Sequence, residues 1–534
     1  RNISCNFLTK KLIEKMKTKT IFKKKVNLGL LFSGLMLTGI VGCQKGTFDI
    51  NNNNPNNPTS VPASYSLKAS LVATASLVQG GNSDVLENWM GYWTQSGGFT
   101  PSTTYVLYQI TSSDFTGNFD AAYINLSNYN LLLKTVGNNP TQTNYKAAAT
   151  IMEVYVYQRL VDLYNSVPYS DALTVKQTFS YKYDDPATIY KSLVAKCDSA
   201  VALIDNAPSS AVALDKNFDV LFQSDMTKWK KFAKTLKLKL LMRQTENGLG
   251  SAGVKAALAG STAGDYLTTD AAVAPGYSTS TTGTLNPFYY DVVANNTGLN
   301  GLNTTYWRAN AYAVTFYQNH NDPRGNYIYA PVGSTAAAYS SPINDLSKIK
   351  GRVYGSINGN GESNSAISAI LGTGFTSSGV QKGPAQPAVL LSGFESLFLQ
   401  AEAIYRGYQA GDAEAAYKAA VAADFAFLGA PGAATYTAQA DVSTNYSAAP
   451  DKLDLIITQK WAAMNSVDPL ESYSDYRRLG IPTTLPVSAY PGVTVKHIPY
   501  RLPYPINETT LNSANVPAGG KGTDLFTSKI FWMK

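Results

Sequence analysis

The sequence predicts a mainly α-helical protein: a tetratricopeptide-like scaffold of helix pairs carrying an irregular, loop-rich region at about residues 245–390. Three observations predict it. Apolar residues recur at helical spacing through several long segments. Residues 394–428 read as two helices around a glycine break, a unit of about 34 residues, the length of a tetratricopeptide repeat. Residues 245–390 drop that periodicity and become rich in Gly, Ser, Thr, Asn and Tyr.

The chain opens on Arg1, and Met16 begins a segment of export-signal shape, so residues 1–15 are expected to be upstream sequence translated in error. Lys23-Lys24-Lys25 form a basic start, Val26–Thr38 a short apolar run, and Ile40-Val41-Gly42-Cys43 ends it. The run is too short and too Gly-rich for a membrane span. It resembles a bacterial lipoprotein signal over 16–42, which implies cleavage before Cys43 and lipidation of its thiol. Residues 43–60 then form a tether. Asn51–Asn54, Pro55, Asn56, Asn57 and Pro58 cannot bury apolar area and carry no periodicity. A single body is expected over 61–534.

Within the body the helical segments follow in order. Amphipathic stretches lie near 61–79, 114–135 and 185–205. Near 144–164, Ala149, Met152, Val156, Leu160 and Leu163 share one helix face. Near 226–243, Trp229, Phe232, Leu236 and Leu240 do the same after Asp225, a good N-cap. Lys228, Lys230, Lys231, Lys234, Lys237 and Lys239 fall off that face and are read as a solvated flank. Phe394, Leu397, Ala401 and Ile404 mark the first helix of the pair. Gly407 to Gly411 break it, Asp412 caps the second, and Ala416, Ala420, Ala423 and Phe427 mark its face. Loops held on such a scaffold are where binding residues tend to sit.

Composition excludes several functions. Residues 1–42 hold nine of the 44 Lys/Arg and one of the 36 Asp/Glu, so residues 43–534 carry 35 of each and are formally neutral. That offers no basic footprint for nucleic acid. Of three cysteines, Cys5 precedes the expected start, Cys43 is the lipid site and Cys197 stands alone in an apolar helical pattern. No disulfide framework or Cys-rich zinc site follows. There are two histidines, with no Gly-x-Ser-x-Gly and no His-Glu-x-x-His. His320 reads as a helix-end or turn residue and His497 as structural. Residues 356–361 resemble a calcium loop only faintly, with Ile367 where a bidentate Glu is needed. No cofactor or metal is called for. The 35 Tyr, 20 Phe and 6 Trp suit either a stacking surface for sugars or core packing.

The motifs become specific in combination. They are the Asn-Pro tether, Trp89-Met90-Gly91-Tyr92-Trp93, Val167-Pro168-Tyr169-Ser170-Asp171-Ala172-Leu173 and Asp225-Met226-Thr227-Lys228-Trp229, followed by Asn321-Asp322-Pro323-Arg324 and Leu399-Gln400-Ala401-Glu402-Ala403. Gln459-Lys460-Trp461, Asp475-Tyr476-Arg477-Arg478, Arg501-Leu502-Pro503-Tyr504-Pro505 and Leu511-Asn512-Ser513-Ala514-Asn515 complete the series. In this order the chain resembles the SusD/RagB family of outer-membrane nutrient-binding lipoproteins of Bacteroidetes, in its SusD-like starch-binding-associated branch. The resemblance implies no catalysis. It implies a lid over a TonB-dependent, SusC-like outer-membrane transporter, to which oligosaccharides, or in some cases peptides, are delivered. It places the chain at the outer membrane, lipid-anchored and exposed at the cell surface. Asp475, Arg477 and Arg478 are expected in a buried ion-pair network, and Trp229 and Trp461 in the core. The candidate ligand-binding aromatics are Trp89, Tyr92, Trp93, Tyr289, Tyr290, Tyr306 and Trp307. The competing readings are a peptide-binding lid, a surface polysaccharide-degrading enzyme and a structural adaptor.

Overall fold

Aspartates set where many of the helices begin. The computed structural model describes residues 61–534, apart from 175, 177, 279–284, 295–301, 337, 338, 340, 358–361 and 519–523. Its principal helices and strands run α1 (Ala63–Gln79), α2 (Asp84–Trp89), β1 (Trp93–Gln95), α3 (Gly117–Val136), α4 (Thr143–Tyr164), α5 (Pro186–Asp205) and α6 (Met226–Arg243). They continue with β2 (Ala271–Val273), β3 (Trp307–Ala309), α7 (Ala311–Asn319), β4 (Ala388–Leu391), α8 (Gly393–Tyr405), α9 (Ala413–Leu428), α10 (Lys452–Met464) and α11 (Pro469–Leu479). Asp225 accepts from the Thr227 and Lys228 amides at the start of α6, and Asp412 from the Glu414 and Ala415 amides at the start of α9. Asp185, Asp451 and Asp468 cap α5, α10 and α11 in the same way, with proline in the first turn of α5 and α11.

The architecture is mainly α. Helices α3 to α6 each pack against the next in chain order, with α1 against α3. A second group forms where α8 packs on α9 and α10, and α10 on α11. Pro62–Lys534 make one unit, while 1–60, on which the signal, Cys43 and the tether fall, lie outside the described residues. Nearly all of α4 is buried, more than the single face its spacing marks, because α1, α3, α5 and α6 all pack on it. Cys197, Trp229 and Trp461 lie in the core. Between α6 and α8 the elements are short. Antiparallel pairs β1–β3 and β2–β4 staple this region to the scaffold.

Three sequence readings are corrected. Lys239 is not solvated: its side chain is fully buried and bridges Glu395 (2.8 Å) and Glu471 (2.7 Å). The face of α9 is rotated from the expected one, with Tyr417, Val421, Asp424 and Phe425 buried beside Ala420, while Ala416, Ala423 and Phe427 are only partly covered. Asp424 goes inside because Arg324 reaches it at 2.7 Å, and Arg324 also chelates Asp322. Among the described residues Arg477 joins no ion pair. It donates to the Asp162 and Tyr500 carbonyls and lies 3.7 Å from the centre of the Tyr473 ring.

The rest of the expected network is present and larger than the motif suggested. Arg478 pairs with Glu402 (2.6 Å) and Asp475 (2.8 Å), and Lys460 with Asp475 (2.8 Å). Arg243 joins Glu471 (2.6 Å) and Asp162 (3.3 Å), and Arg159 meets Asp468 (2.6 Å). These charges lie on α4, α6, α8, α10 and α11 and bind the two helix groups together. Removing one partner of such a pair costs about 3–5 kcal/mol, because the other charge is left buried.

Candidate ligand-binding site

Strand register decides which aromatic residues face inward. In the β1–β3 pair Trp93 lies opposite Ala309 and Gln95 opposite Trp307, so both indoles share one face, with Thr94 and Arg308 on the other. The indole face is the inner one. Trp93 Nε1 donates to Ser466 Oγ (3.0 Å) and Trp307 Nε1 to Asp84 Oδ2 (2.7 Å). The two rings tilt together at 6.4 Å, Phe288 lies 6.1 Å from Trp93, and Tyr105 meets Trp307 edge-on at 5.3 Å. Burial and the neighbouring Asp291 charge hold the Asp84 carboxyl well above the usual carboxylate range, and burial does the same to Glu87. This floor is buried and its polar atoms are largely matched to one another.

The seven aromatic candidates therefore divide. Trp89, Tyr92, Trp93 and Trp307 are buried and present no face to a ligand. Each found an internal use: Trp89 packs on Phe115 and Tyr473, and Tyr92 stacks on Trp461 at 5.2 Å while its hydroxyl bonds the Trp461 carbonyl and Ser472. An indole or phenol buries a large apolar area, and the polar edges of Tyr92, Trp93 and Trp307 are paired, whereas Trp89 Nε1 has no partner among the described residues. Tyr289 and Tyr306 are half-buried, and Tyr290 is 51% exposed. Tyr306 closes a short helix, Leu302–Tyr306, that packs against the turn Tyr289–Val293. The Tyr306 ring rests edge-on upon Trp307 (4.7 Å) and Phe99 (5.1 Å). The structure thus sets Phe99 and Tyr306 together beside Trp307, with the segment that carries Tyr289 and Tyr290 packed against the Tyr306 helix, as an aromatic rim at the Trp93–Trp307 floor.

Polar groups edge the rim. Ser96 donates its amide to the Tyr306 carbonyl (2.7 Å) and its hydroxyl to the Asn364 side chain. A Cβ added to Gly97 would lie 2.4 Å from the Glu362 carbonyl, so only glycine lets these two segments approach. Glu362 pairs with Arg352 (2.9 Å). The weak calcium-loop resemblance at 356–361 falls mostly outside the described residues, and among the described residues no group of three or more His, Cys, Asp or Glu could hold a metal.

Two concavities elsewhere were not foreseen. One, of about 420 Å³, runs along α7 past Tyr312, Phe316 and His320 toward Tyr354 and Thr484. His320 stands at the end of α7 as expected, with Nδ1 2.6 Å from Asp441. The other, of about 610 Å³, lies between α3 and the loop before Tyr183 and is lined by Tyr123, Ile124, Leu173, Phe179, Tyr181 and Leu511. The sequence signal for the first was the i, i+4 pair Tyr312 and Phe316. For the second it was Phe179 and Tyr181 beside a loop that no helix pattern claims. His497 is structural and stacks on Tyr500 at 4.3 Å.

Comparison with known proteins fixes the wider context. A family model described as starch-binding and associating with the outer membrane, SusD-like, matches residues 55–505. A SusD homolog from Bacteroides fragilis superposes with a TM-score of 0.69 at 18% identity, over 89% of this chain and 100% of that one. A chitin-binding SusD homolog from Flavobacterium johnsoniae gives 0.69 at 21%, over 87% and 98%. A SusD-like protein from Bacteroides thetaiotaomicron gives 0.66 at 21%, over 88% and 99%. No curated protein matches by sequence. At these identities the structural likeness speaks for the fold alone.

Proposed function

The chain belongs to the SusD-like family of starch-binding proteins associating with the outer membrane, and from that premise we propose that it is a non-catalytic nutrient-binding lipoprotein. It captures oligosaccharides at the cell surface and delivers them, as a lid, to a TonB-dependent SusC-like transporter. The observation that carries the binding reading is the rim of Phe99, Tyr289, Tyr290 and Tyr306 set on a locked tryptophan floor. Sugar rings expose apolar C–H faces that pack on aromatic planes, and rings already held in place lose little entropy on binding. Ser96, Asn364 and the tyrosine hydroxyls supply the few placed polar groups such a site needs.

Cys43 is the lipid attachment point in this reading. One acyl chain holds a protein to a membrane only marginally, so the two or three of a bacterial lipoprotein are needed. Among the described residues no helix is long and apolar enough to cross a membrane. The 17 residues of 44–60 reach at most about 60 Å when extended, enough for a lid to swing.

Calorimetry with a panel of oligosaccharides tests the site. Tyr306→Ala should weaken the cognate glycan by about thirtyfold, whereas Phe179→Ala in the 610 Å³ cavity should leave it unchanged. That cavity, apolar with Asp120 and Glu508 at its edge, is what favours the second reading, a peptide ligand. Peptide binding lost in Phe179→Ala, with no glycan bound, would establish it. Solubilised outer membrane should yield a large barrel protein with the lipoprotein, and Cys43→Ala should abolish labelling by a palmitate analogue. Recovery of the lipoprotein alone, or labelling that survives the substitution, contradicts those parts.

A further inference from the structure

Eight arginines are buried among the described residues, and six of them pair with carboxylates. Arg477 and Arg308 are the exceptions. Arg477 is fully committed: Nε donates to the Tyr473 carbonyl, Nη1 to those of Asp162 and Tyr500, and Nη2 to Ser474 Oγ. Arg308 is not. Its Nε donates to the Asn364 carbonyl (3.2 Å) and its Nη1 to the carbonyls of Thr304 and Trp307. Its Nη2 has no partner among the described residues, and 6% of the residue is exposed.

The place of this charge matters. Arg308 lies on the face of β3 opposite the tryptophans, so the Asp84 carboxyl under Trp307 is on the far side of the ribbon. Glu362, at the polar edge of the rim, is taken by Arg352. The residues that grip Arg308, Asn364, Thr304 and Trp307, border the rim. Asn364 bonds Ser96, Ser96 bonds Tyr306, and a Cβ on Gly98, next to Phe99, would stand 3.4 Å from Asn364 Oδ1. Burial without a counter-charge pushes the guanidinium down to about 10, so it stays charged at neutral pH while its desolvation goes uncompensated. Three carbonyls fix its plane, leaving the Nη2 hydrogens aimed by a rigid mount.

We propose that Arg308 is a specificity residue that takes a carboxylate of the ligand, so that the glycan held by the rim is a uronic-acid-bearing oligosaccharide. A charge-assisted bond from Nη2 is about twice as strong as a neutral one. It also supplies the negative partner this buried cation lacks. Residues 43–534 are formally neutral as a whole, so the charge that would select such a ligand is local to the rim. This inference rests on the oligosaccharide reading of the rim.

The test is calorimetry on the full mature chain with oligosaccharides containing galacturonate or glucuronate, each paired with its carboxyl-reduced neutral counterpart. The wild type should bind a uronate form at least about tenfold more tightly than its reduced form, a preference that falls as salt rises. Arg308→Gln should erase that ratio, while Tyr306→Ala should weaken both forms equally. Should Arg308→Gln not fold, Arg308→Lys, which keeps a charge but loses the planar mount, should shrink the ratio. If reduced glycans, or neutral starch and chitin fragments, bind as tightly as the uronates, the inference falls and the glycan reading stands. If no glycan binds, both fall.

Discussion

Trp307 shows how one residue can be read rightly as important and wrongly as exposed. Its indole is paired through Nε1 to Asp84 and carries Tyr306 on its face. Trp307→Phe keeps most of the apolar area but leaves the buried Asp84 short of a donor, and should cost about 1–3 kcal/mol in urea unfolding. Tyr306→Ala, at the half-buried edge, should cost much less stability while carrying the binding loss. Sequence could name these aromatics but not sort them, because an amphipathic ring suits a wet rim and a paired core equally well. What sorted them was the β1–β3 register, a long-range pairing with no local signature. Cys197 was easier, since an apolar helical setting predicts a packed thiol. Burial pushes that thiol well above its usual value. A maleimide should leave Cys197 unmodified in the native protein and label it on unfolding, which peptide mass mapping would detect; rapid native labelling contradicts the packing.

At the scale of elements, α6 marks the limit of pattern reading. Trp229, Phe232, Leu236 and Leu240 were legible, as was the Asp225 cap, because spacing and capping are local. Lys239 was not, because periodicity sorts residues by type and a lysine is assigned to water by default. Its partners, Glu395 and Glu471, come from α8 and α11. Lys239→Met should therefore destabilise by about 3 kcal/mol or more, leaving two buried acids short of a cation. Lys228→Met, on the exposed side of the same helix, should change stability by about 0.5 kcal/mol or less. Urea midpoints of the two variants make the comparison directly, and equal effects would contradict the burial of Lys239. The α9 face was misjudged for the same reason: Asp424 belongs inside only because Arg324, a hundred residues earlier, is there to meet it.

For the whole molecule, the charge network sets the response to pH. Asp475 is buried, and Lys460, Arg478 and Arg243 hold its carboxyl down at about 2 against that burial. Its contribution is full above the unfolded value near ~4 and lost as pH falls through about 2. Glu395 has the opposite sign. Burial pushes it up to about 7 despite Lys239, so the fold holds a proton there and loses stability as pH rises from ~4.3 towards about 7. Urea midpoints against pH should show Asp475→Asn flattening the acid limb and Glu395→Gln flattening the decline toward neutrality. The mainly α class and the order of the helices were legible because each helix declares itself locally. Of the network only the Asp475–Arg478 corner was legible, and of the rim only its tyrosines; the partners that complete both come from distant parts of the chain. That separation bears on how the protein is made. Arg159 waits 309 residues for Asp468, and Arg243 waits 228 for Glu471. While the chain is still emerging, α4 to α6 hold charges they cannot yet bury, so their interior has to stay wet. The first half of the polypeptide is then a passenger that cannot mature ahead of the second. A chain stopped before α11 should remain open to protease along α4 and α6, and should depend on a holding chaperone until synthesis is done.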